Sequence, residues 1–382
     1  MKIALVRYKY TPYGGAERYM ARLIDGLVAA GHEVHVFAAQ WDAAGVGPVQ
    51  VHRVPVISCA GWLKALTFAI GCRRLLKKER FDLIFSLERT LLQDVYRAGD
   101  GCHRQWLVRK NLGRGMLARA IDFLNPLHAI ILLLEKRLFT DRGLKGIIAN
   151  SKQGKEEIIS IYGVEPEKIH VIYNGIDLPQ RDPSRREQCR EELRREFALR
   201  DELRLLYVGS GFRRKGVPTL LAAASRLTVP FRLFVVGKGR IRHYRVQAGR
   251  LGIADRVEFT GPVKDVERFY QGCDLFVLPT LYDPFSNATV EAMSWGLPVL
   301  TSAYNGVAEL IRQGENGFVV DDPLNAAAVA EYIGRMADSR LRQEMGARAL
   351  QTVAPLTMAK NVAETLRVLD LILTQKRAEN SG

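Results

Sequence analysis

The sequence predicts an α/β protein of two doubly wound, Rossmann-like domains. Three observations predict it: a strand-turn-helix-strand opening, a second run of short apolar strands after residue 200, and a length of 382 residues. That length passes the size at which a single hydrophobic core stops growing. With 47% hydrophobic and 25% charged residues the composition is that of a folded globular chain, which excludes a disordered or fibrous class.

Lys2-Ile3-Ala4-Leu5-Val6 reads as a buried strand, Tyr13-Gly14-Gly15 as a turn, and Ala16 to Ala30 as a helix ended by Gly31. His32 to Phe37 alternates as the next strand and Phe81 to Phe85 reads as another, giving the β-α-β rhythm of a parallel sheet. The rhythm restarts at Leu203–Val208, Phe231–Val236, Val257–Thr260, Leu275–Leu278 and Pro298–Thr301. Between the two runs, Ile169 to Asp177 leads into the Pro- and Arg-rich stretch Leu178 to Arg186, where the domain crossover is expected. The division is therefore 1–170 for an N-terminal domain and 171–356 for a C-terminal one. In the closing segment 357–382, Met358, Val362, Leu366, Leu369 and Leu373 form an apolar stripe at helical spacing. Such a stripe must dock, and the first domain is one surface open to it.

Several classes fall away. The apolar run before Arg7 is too short for a signal peptide. The longest greasy stretch, Phe123 to Phe139, is broken by Asn125, Pro126, His128, Glu135, Lys136 and Arg137. It falls short of the ~20 apolar residues that span a bilayer, so the expectation is a cytoplasmic protein without a spanning helix. Cys59, Cys72, Cys102, Cys189 and Cys273 are odd in number, without C-x-x-C spacing, and read as reduced thiols. A net charge of +15 calls for a polyanionic partner: nucleic acid, an acidic membrane or a phosphorylated sugar. No helix-turn-helix, RNA-recognition or zinc-finger signature supports base readout, so nucleic acid is not expected.

The motifs narrow the choice. Gly14-Gly15 between strand and helix lets backbone approach an anion at a helix start, although an ordinary turn would use the same residues. Gly209-Ser210-Gly211-Phe212-Arg213-Arg214-Lys215-Gly216 follows a strand and offers flexible backbone with three cations. Strand carboxyl ends are where doubly wound sheets bind ligands, and fixed cations there stabilise charge developing on a phosphate; a solvated basic loop is the plain alternative. Neither that loop nor Gly237 to Arg242 completes G-x-G-x-x-G, and no P-loop sequence occurs. His32-Glu33-Val34-His35 has its histidines three apart in a strand pattern, not four apart on a helix, so it reads as structural rather than as a zinc site. No D-x-D occurs to hold a diphosphate through a metal. The richest segment, Asp283 to Val299, carries an acid in a loop and a second, Glu291, eight positions on in a helix. Two turns of helix would bring both carboxylates toward one cleft, with the intervening N–H groups free for hydroxyls or phosphate. A capped helix with an incidental Glu is the rival reading.

Tyr13-Gly14-Gly15-Ala16-Glu17-Arg18, Asn174-Gly175-Ile176-Asp177, Arg214-Lys215-Gly216, Asp283 to Glu291, Gly306 to Ile311 and Gly314-Glu315-Asn316-Gly317 together resemble the retaining glycosyltransferases of family 4, with the GT-B fold. The likeness covers nearly the whole chain, and Tyr8 to Gly15 most resembles the branch that adds glucose to the lipopolysaccharide core. The resemblance implies transfer from UDP-glucose to inner-core heptose, without cofactor or metal, by an enzyme peripheral to the inner face of the inner membrane. It implies that Glu291 holds the donor ribose, Arg214 and Lys215 the diphosphate, and Gly14 and Gly15 a phosphate or the acceptor side. The backbone of Phe285, Ser286, Asn287, Ala288 and Thr289 would hold the sugar, with Asp283 and His103 beside it. Asp283 stands where the family usually has Glu and Ser286 where it has Gly, and the shorter acid weakens a direct sugar contact. Rival readings are another family 4 transferase, a nucleotide-sugar epimerase or hydrolase, and a basic nucleic-acid-binding protein.

One segment points to lipid. Arg104 to Lys145 carries Arg104, Arg109, Lys110, Arg114, Arg119, Lys136, Arg137, Arg142 and Lys145 against Asp122, Glu135 and Asp141. Trp106, Leu107, Met116, Leu117, Ile121, Phe123, Leu124 and Leu127 interleave with them. That pattern suits an anionic membrane surface; a core helix over Ile130 to Leu138 with solvated charges is the alternative.

Overall fold

The computed structural model describes residues 1–10, 15–41, 49–116, 122 and 124–381. It divides into two compact units, Met1–Gly175 with Leu356–Gly382, and Ile176–Pro355.

The first unit is built on seven parallel strands: β1 (Lys2–Val6), β2 (Glu33–Ala38), β3 (Gln50–Arg53), β4 (Leu83–Ser86), β5 (Val95–Ala98), β6 (Gly146–Ala149) and β7 (Ile169–Val171). Their order is β3-β2-β1-β4-β5-β6-β7, with Ile3 opposite both Val34 and Leu83. Ile3 to Val6 are buried on both faces, as a central parallel strand covered by helices requires. Its described helices include α1 (Gly15–Ala29), α2 (Gly61–Leu76), α3 (His103–Lys110), α4 (Pro126–Phe139) and α5 (Lys152–Tyr162). Strand β4 begins at Leu83 rather than Phe81 because Asp82 is spent on the edge of β1: its carboxylate accepts from the Lys2 amide at 2.8 Å.

The second unit carries α6 (Pro183–Glu196), β8 (Leu203–Val208), α7 (Val217–Ala224), β9 (Phe231–Val236), α8 (Ile241–Arg250), β10 (Val257–Gly261), α9 (Glu267–Gly272), β11 (Leu275–Leu278), α10 (Asn287–Ser294), β12 (Val299–Ser302), β13 (Gly317–Val320), α11 (Ala326–Arg335) and α12 (Ser339–Val353). Its six strands are parallel and run β10-β9-β8-β11-β12-β13. The order reverses between β8 and β11, and a doubly wound sheet binds its ligand outside the carboxyl ends of the strands at that reversal.

The last helix, α13 (Met358–Ser381), belongs to the first unit. Met358, Leu369, Ile372 and Leu373 are buried in the core that holds Ile3, Leu5 and Ile24, and Val362 is buried as well. Gly26 of α1 makes the close approach possible, since a Cβ there would press on Val362. The Asn361 amide donates to the Tyr173 carbonyl, and Lys376 Nζ lies 2.8 Å from Asp94 Oδ2. All five cysteines are free thiols, with only Cys59 exposed. Among the described residues no helix is long and apolar enough to cross a membrane.

Candidate active site

The reversal point of the second sheet is occupied by the basic loop that follows β8. Gly216 has φ +82°, and a Cβ there would overlap the Pro279 carbonyl oxygen. Glycine is thus required where the loop passes the end of β11. The Arg214 carbonyl accepts from the Leu281 amide (2.7 Å) and from Thr280 Oγ1 (3.0 Å), while its guanidinium donates to the Tyr282 carbonyl (2.9 Å). Lys215 Nζ is paired with the Asp283 carboxylate, and both are largely shielded from solvent. Backbone bonds across the reversal therefore fix two cations at the carboxyl ends of β8 and β11.

Asp283 leads into the start of α10. Its amide donates to the Tyr304 carbonyl at 2.9 Å and its carbonyl accepts from Gly306 at 2.8 Å. Ser286 is the N-cap, its hydroxyl accepting from the Thr289 amide at 3.3 Å. Buried Asn305 ties this turn together. Its Oδ1 accepts from the Ser286 and Val307 amides, each at 3.2 Å, and its Nδ2 donates to Thr289 Oγ1 (3.3 Å) and Thr301 Oγ1 (2.9 Å).

The expectation that the N–H groups from Asp283 to Thr289 stand free needs correcting. Those of Asp283, Ser286 and Thr289 are already bonded within the fold. Phe285, Ser286 and Thr289 are buried, whereas Asn287, Ala288 and Glu291 are half-buried. The two acids also take different partners: Asp283 takes Lys215, and Glu291 Oε2 accepts from the Tyr270 hydroxyl at 3.1 Å. Burial, reinforced by the Glu291 carboxylate, pushes the Tyr270 phenol well up, so it remains a donor to Glu291.

In the first unit, His103 opens α3, and Nε2 of its ring lies 3.0 Å from His128 Nδ1. His128 Nε2 in turn lies 3.1 Å from Lys110 Nζ. Burial, with help from Arg89, lowers the His103 pKa to about 4, so the ring is neutral at pH 7. Beneath it sits a residue the sequence reading passed over. The fully buried Glu135 carboxylate accepts from the His103 and Arg104 amides (2.7 and 3.1 Å), Arg89 Nε (2.9 Å) and the Tyr162 hydroxyl (2.5 Å). At the reversal point of this sheet, between β1 and β4, Glu88 accepts from the Tyr8 amide at 3.1 Å and pairs with Arg7 at 3.2 Å. Burial pushes its carboxyl up against the opposing pull of Arg7.

Gly15 is the first residue of α1, while Gly14 lies outside the described residues, as do Leu117, Arg119, Ile121 and Phe123 of the basic, apolar segment. Within that segment Lys110 and Arg114 are both paired with Asp122, Lys110 at 2.9 Å, so they are not the unpaired cations the charge pattern suggested. Val108, Met116 and Leu124 are exposed, at 59%, 87% and 78%.

Two doubly wound sheets, with a cation-bearing loop and a carboxylate-bearing helix at the reversal point of the second, describe a glycosyltransferase of the GT-B fold. Residues 13–180 match Glycosyltransferase Family 4 and residues 189–352 match Glycosyl transferases group 1; the chain belongs to these glycosyltransferases. It is similar to Lipopolysaccharide glucosyltransferase WaaG of Escherichia coli (strain K12), with 27% identity over 339 residues, 87% of this chain and 88% of that one. The crystal structure of WaaG, a glycosyltransferase involved in lipopolysaccharide biosynthesis, aligns with TM-score 0.78 and 25% identity over 96% of this chain and 99% of that one. Anabaena Alr3699/HepE, solved in complex with UDP-glucose, shares the fold at TM-score 0.70 and 21% identity, over 97% of this chain and 100% of that one.

Proposed function

We propose that the protein is a retaining glycosyltransferase that moves glucose from UDP-glucose to the inner-core heptose of lipopolysaccharide. The observation that carries the reading is the pair Arg214 and Lys215, held at the second sheet's reversal point by bonds to residues 280–283. The likeness to WaaG supports the acceptor and the sugar, and the UDP-glucose bound by HepE supports the donor.

In this mechanism Glu291 receives the ribose hydroxyls, its carboxylate oriented by Tyr270. The acceptor hydroxyl oxygen bonds to the anomeric carbon on the face from which UDP departs. The bond to the diphosphate breaks with its electron pair, and the acceptor proton passes to the departing phosphate. Negative charge grows on the diphosphate, and Arg214 and Lys215 act where it grows; such fixed charge accelerates the step because it binds the transition state more tightly than the ground state. These two cations take the place a metal holds in D-x-D transferases, so no metal is required. Asp283 holds the Lys215 ammonium in place. Neutral His103, its Nε2 engaged by His128, would meet a sugar hydroxyl through Nδ1. Gly15, at the start of α1, and the neighbouring Gly14 would lie against a phosphate or the acceptor.

The enzyme works at the inner face of the membrane, with Val108, Met116 and Leu124 as apolar contacts and Arg109 among the cations. The test is turnover of UDP-glucose with heptose-terminated acceptor in the presence of EDTA. Transfer with retained configuration is expected, Lys215→Ala lowering kcat more than it raises donor KM and Glu291→Ala doing the reverse. Epimerisation, hydrolysis alone, or a strict requirement for added Mg²⁺ would overturn it. Flotation with anionic vesicles, weakened by salt and by Arg109→Glu, tests the membrane contact; equal recovery on neutral vesicles would remove it.

A further inference from the structure

The second unit has another cleft, at the opposite edge of its sheet from the basic loop. Asp274 and Pro298, which line it, precede β11 and β12, whereas Gly209 to Gly216 and Pro279 to Asp283 follow the carboxyl ends of β8 and β11. The four residues of β11 put about 13 Å between those edges. The cleft has a volume of about 660 Å³, within the ~300–1,000 Å³ range of small-molecule sites. Its floor is a close backbone contact: Gly296 and Gly346 face each other so tightly that a Cβ on Gly346 would overlap the Gly296 carbonyl oxygen.

Charge sets its chemistry. Arg181, Arg186, Arg190 and Arg342 line the cleft against one acid, Asp274. That acid is already engaged, Oδ1 with Arg190 Nη1 at 2.9 Å and Oδ2 with the Arg204 amide at 2.8 Å. Arg342 donates Nη1 to the Met336 and Ala337 carbonyls at the end of α11 (2.8 and 2.5 Å), which leaves the rest of its planar fork for another acceptor. The Arg181 and Arg186 guanidiniums form no hydrogen bond or ion pair with any described residue. Burial, and then the charges of Arg190 and Arg181, lower the proton affinity of Arg186. Gathering four guanidiniums around a single carboxylate leaves a surplus of positive charge, and a dianion with several acceptor oxygens relieves it through charge-assisted, bidentate bonds. Ser339, Gln343 and Gln351 add neutral hydrogen-bonding groups to the same walls, suited to hydroxyls.

We propose that this cleft binds a phosphomonoester, with Arg181 and Arg186 gripping the phosphate and the serine and glutamines meeting the hydroxyls of the molecule that carries it. The ligand is a soluble sugar phosphate or a lipid headgroup bearing the same group, and the site is separate from the one that turns over donor.

Calorimetric titration with glucose 6-phosphate and flotation with vesicles containing phosphatidic acid distinguish the two sources. Arg181→Gln/Arg186→Gln should weaken the probe that binds by at least tenfold. The double variant should fold, because neither side chain holds another part of the chain, and circular dichroism checks this. Arg194→Gln/Arg195→Gln removes the same charge from the exposed face of α6 and should leave binding within twofold, as should Lys215→Ala. Binding of the sugar phosphate alone, the vesicles alone, or both, lost only in the Arg181/Arg186 variant, supports the site and names its source. No binding of either probe, equal loss in the Arg194/Arg195 control, or loss confined to Lys215→Ala overturns it.

Discussion

Helices α3 and α10 both begin near residues assigned to the chemistry, but their first turns are satisfied in opposite ways. The cap of α10 is local and neutral, made by Ser286 on its own third residue and by the Asn305 amide. The cap of α3 is remote and charged: the Cys102 side chain at the N-cap does not cap the helix, and Glu135 of α4 takes the first two amides. A helix N-terminus carries roughly half a positive charge. Glu135 neutralises that potential at α3, whereas the neutral cap leaves it available at α10. Only the second is therefore suited to an anionic or hydroxyl-rich ligand, and the first serves to hold a neutral histidine still.

The largest effect separating the two is expected at Glu135. Glu135→Ala takes the buried carboxylate from half-buried Arg89, two amides and Tyr162 together, and removal of one partner from a buried ion pair costs about 3–5 kcal/mol. Chemical denaturation should show that loss; a change below about 1 kcal/mol would mean that water reaches the cluster and that α3 is not capped by charge. Asn305→Ala comes next. Four neutral hydrogen bonds disappear from a buried site, for an expected loss of about 2–3 kcal/mol, read from the same curves.

The third is a slope. His103 has its pKa lowered to about 4 from 6.5, so between those values the unfolded chain binds more protons than the folded one. Its contribution is complete above pH 6.5 and is lost as pH falls toward 4. Partial exposure discounts the effect to about 1–2 kcal/mol. Subtracting the stability–pH curve of His103→Asn from that of the wild type should leave this step, and parallel curves would contradict it. The smallest stability changes are at Ser286. Ser286→Ala should lose about 1 kcal/mol of cap. Ser286→Asp keeps a capping oxygen, yet should raise the KM for UDP-glucose by placing a charge where α10 must stay neutral. An unchanged KM would detach the start of α10 from donor binding.

These differences also explain what could be read in advance. Apolar runs such as Leu203 to Val208 show strands because parallel strands are buried on both faces, and Ser286 is recognisable because a cap lies beside the helix it serves. Glu135 could not be recognised that way. It interrupts a greasy stretch like any stray charge, and its partners lie 32, 46 and 27 positions away, at His103, Arg89 and Tyr162. The pattern of a carboxylate on a short helix singled out Glu291, but nothing in it points to Tyr270, whose ring is buried like any core aromatic and whose hydroxyl alone has the specific task. Lys215 and Asp283 were each legible as site residues, yet their pairing depends on the order of strands β8 and β11, which no local spacing encodes.

The return of α13 to the first unit has a consequence for how the chain is made. Ile372 fills the space above Gly146, and Leu369 and Leu373 share a core with Ile3 and Leu5. Residues before Ile176 and after Pro355 complete one another, and everything between those two positions interrupts them. During translation the intervening unit leaves the ribosome whole while its predecessor still lacks a wall. The earlier-made half is the later to close, and until then its unfinished core leaves apolar surface uncovered.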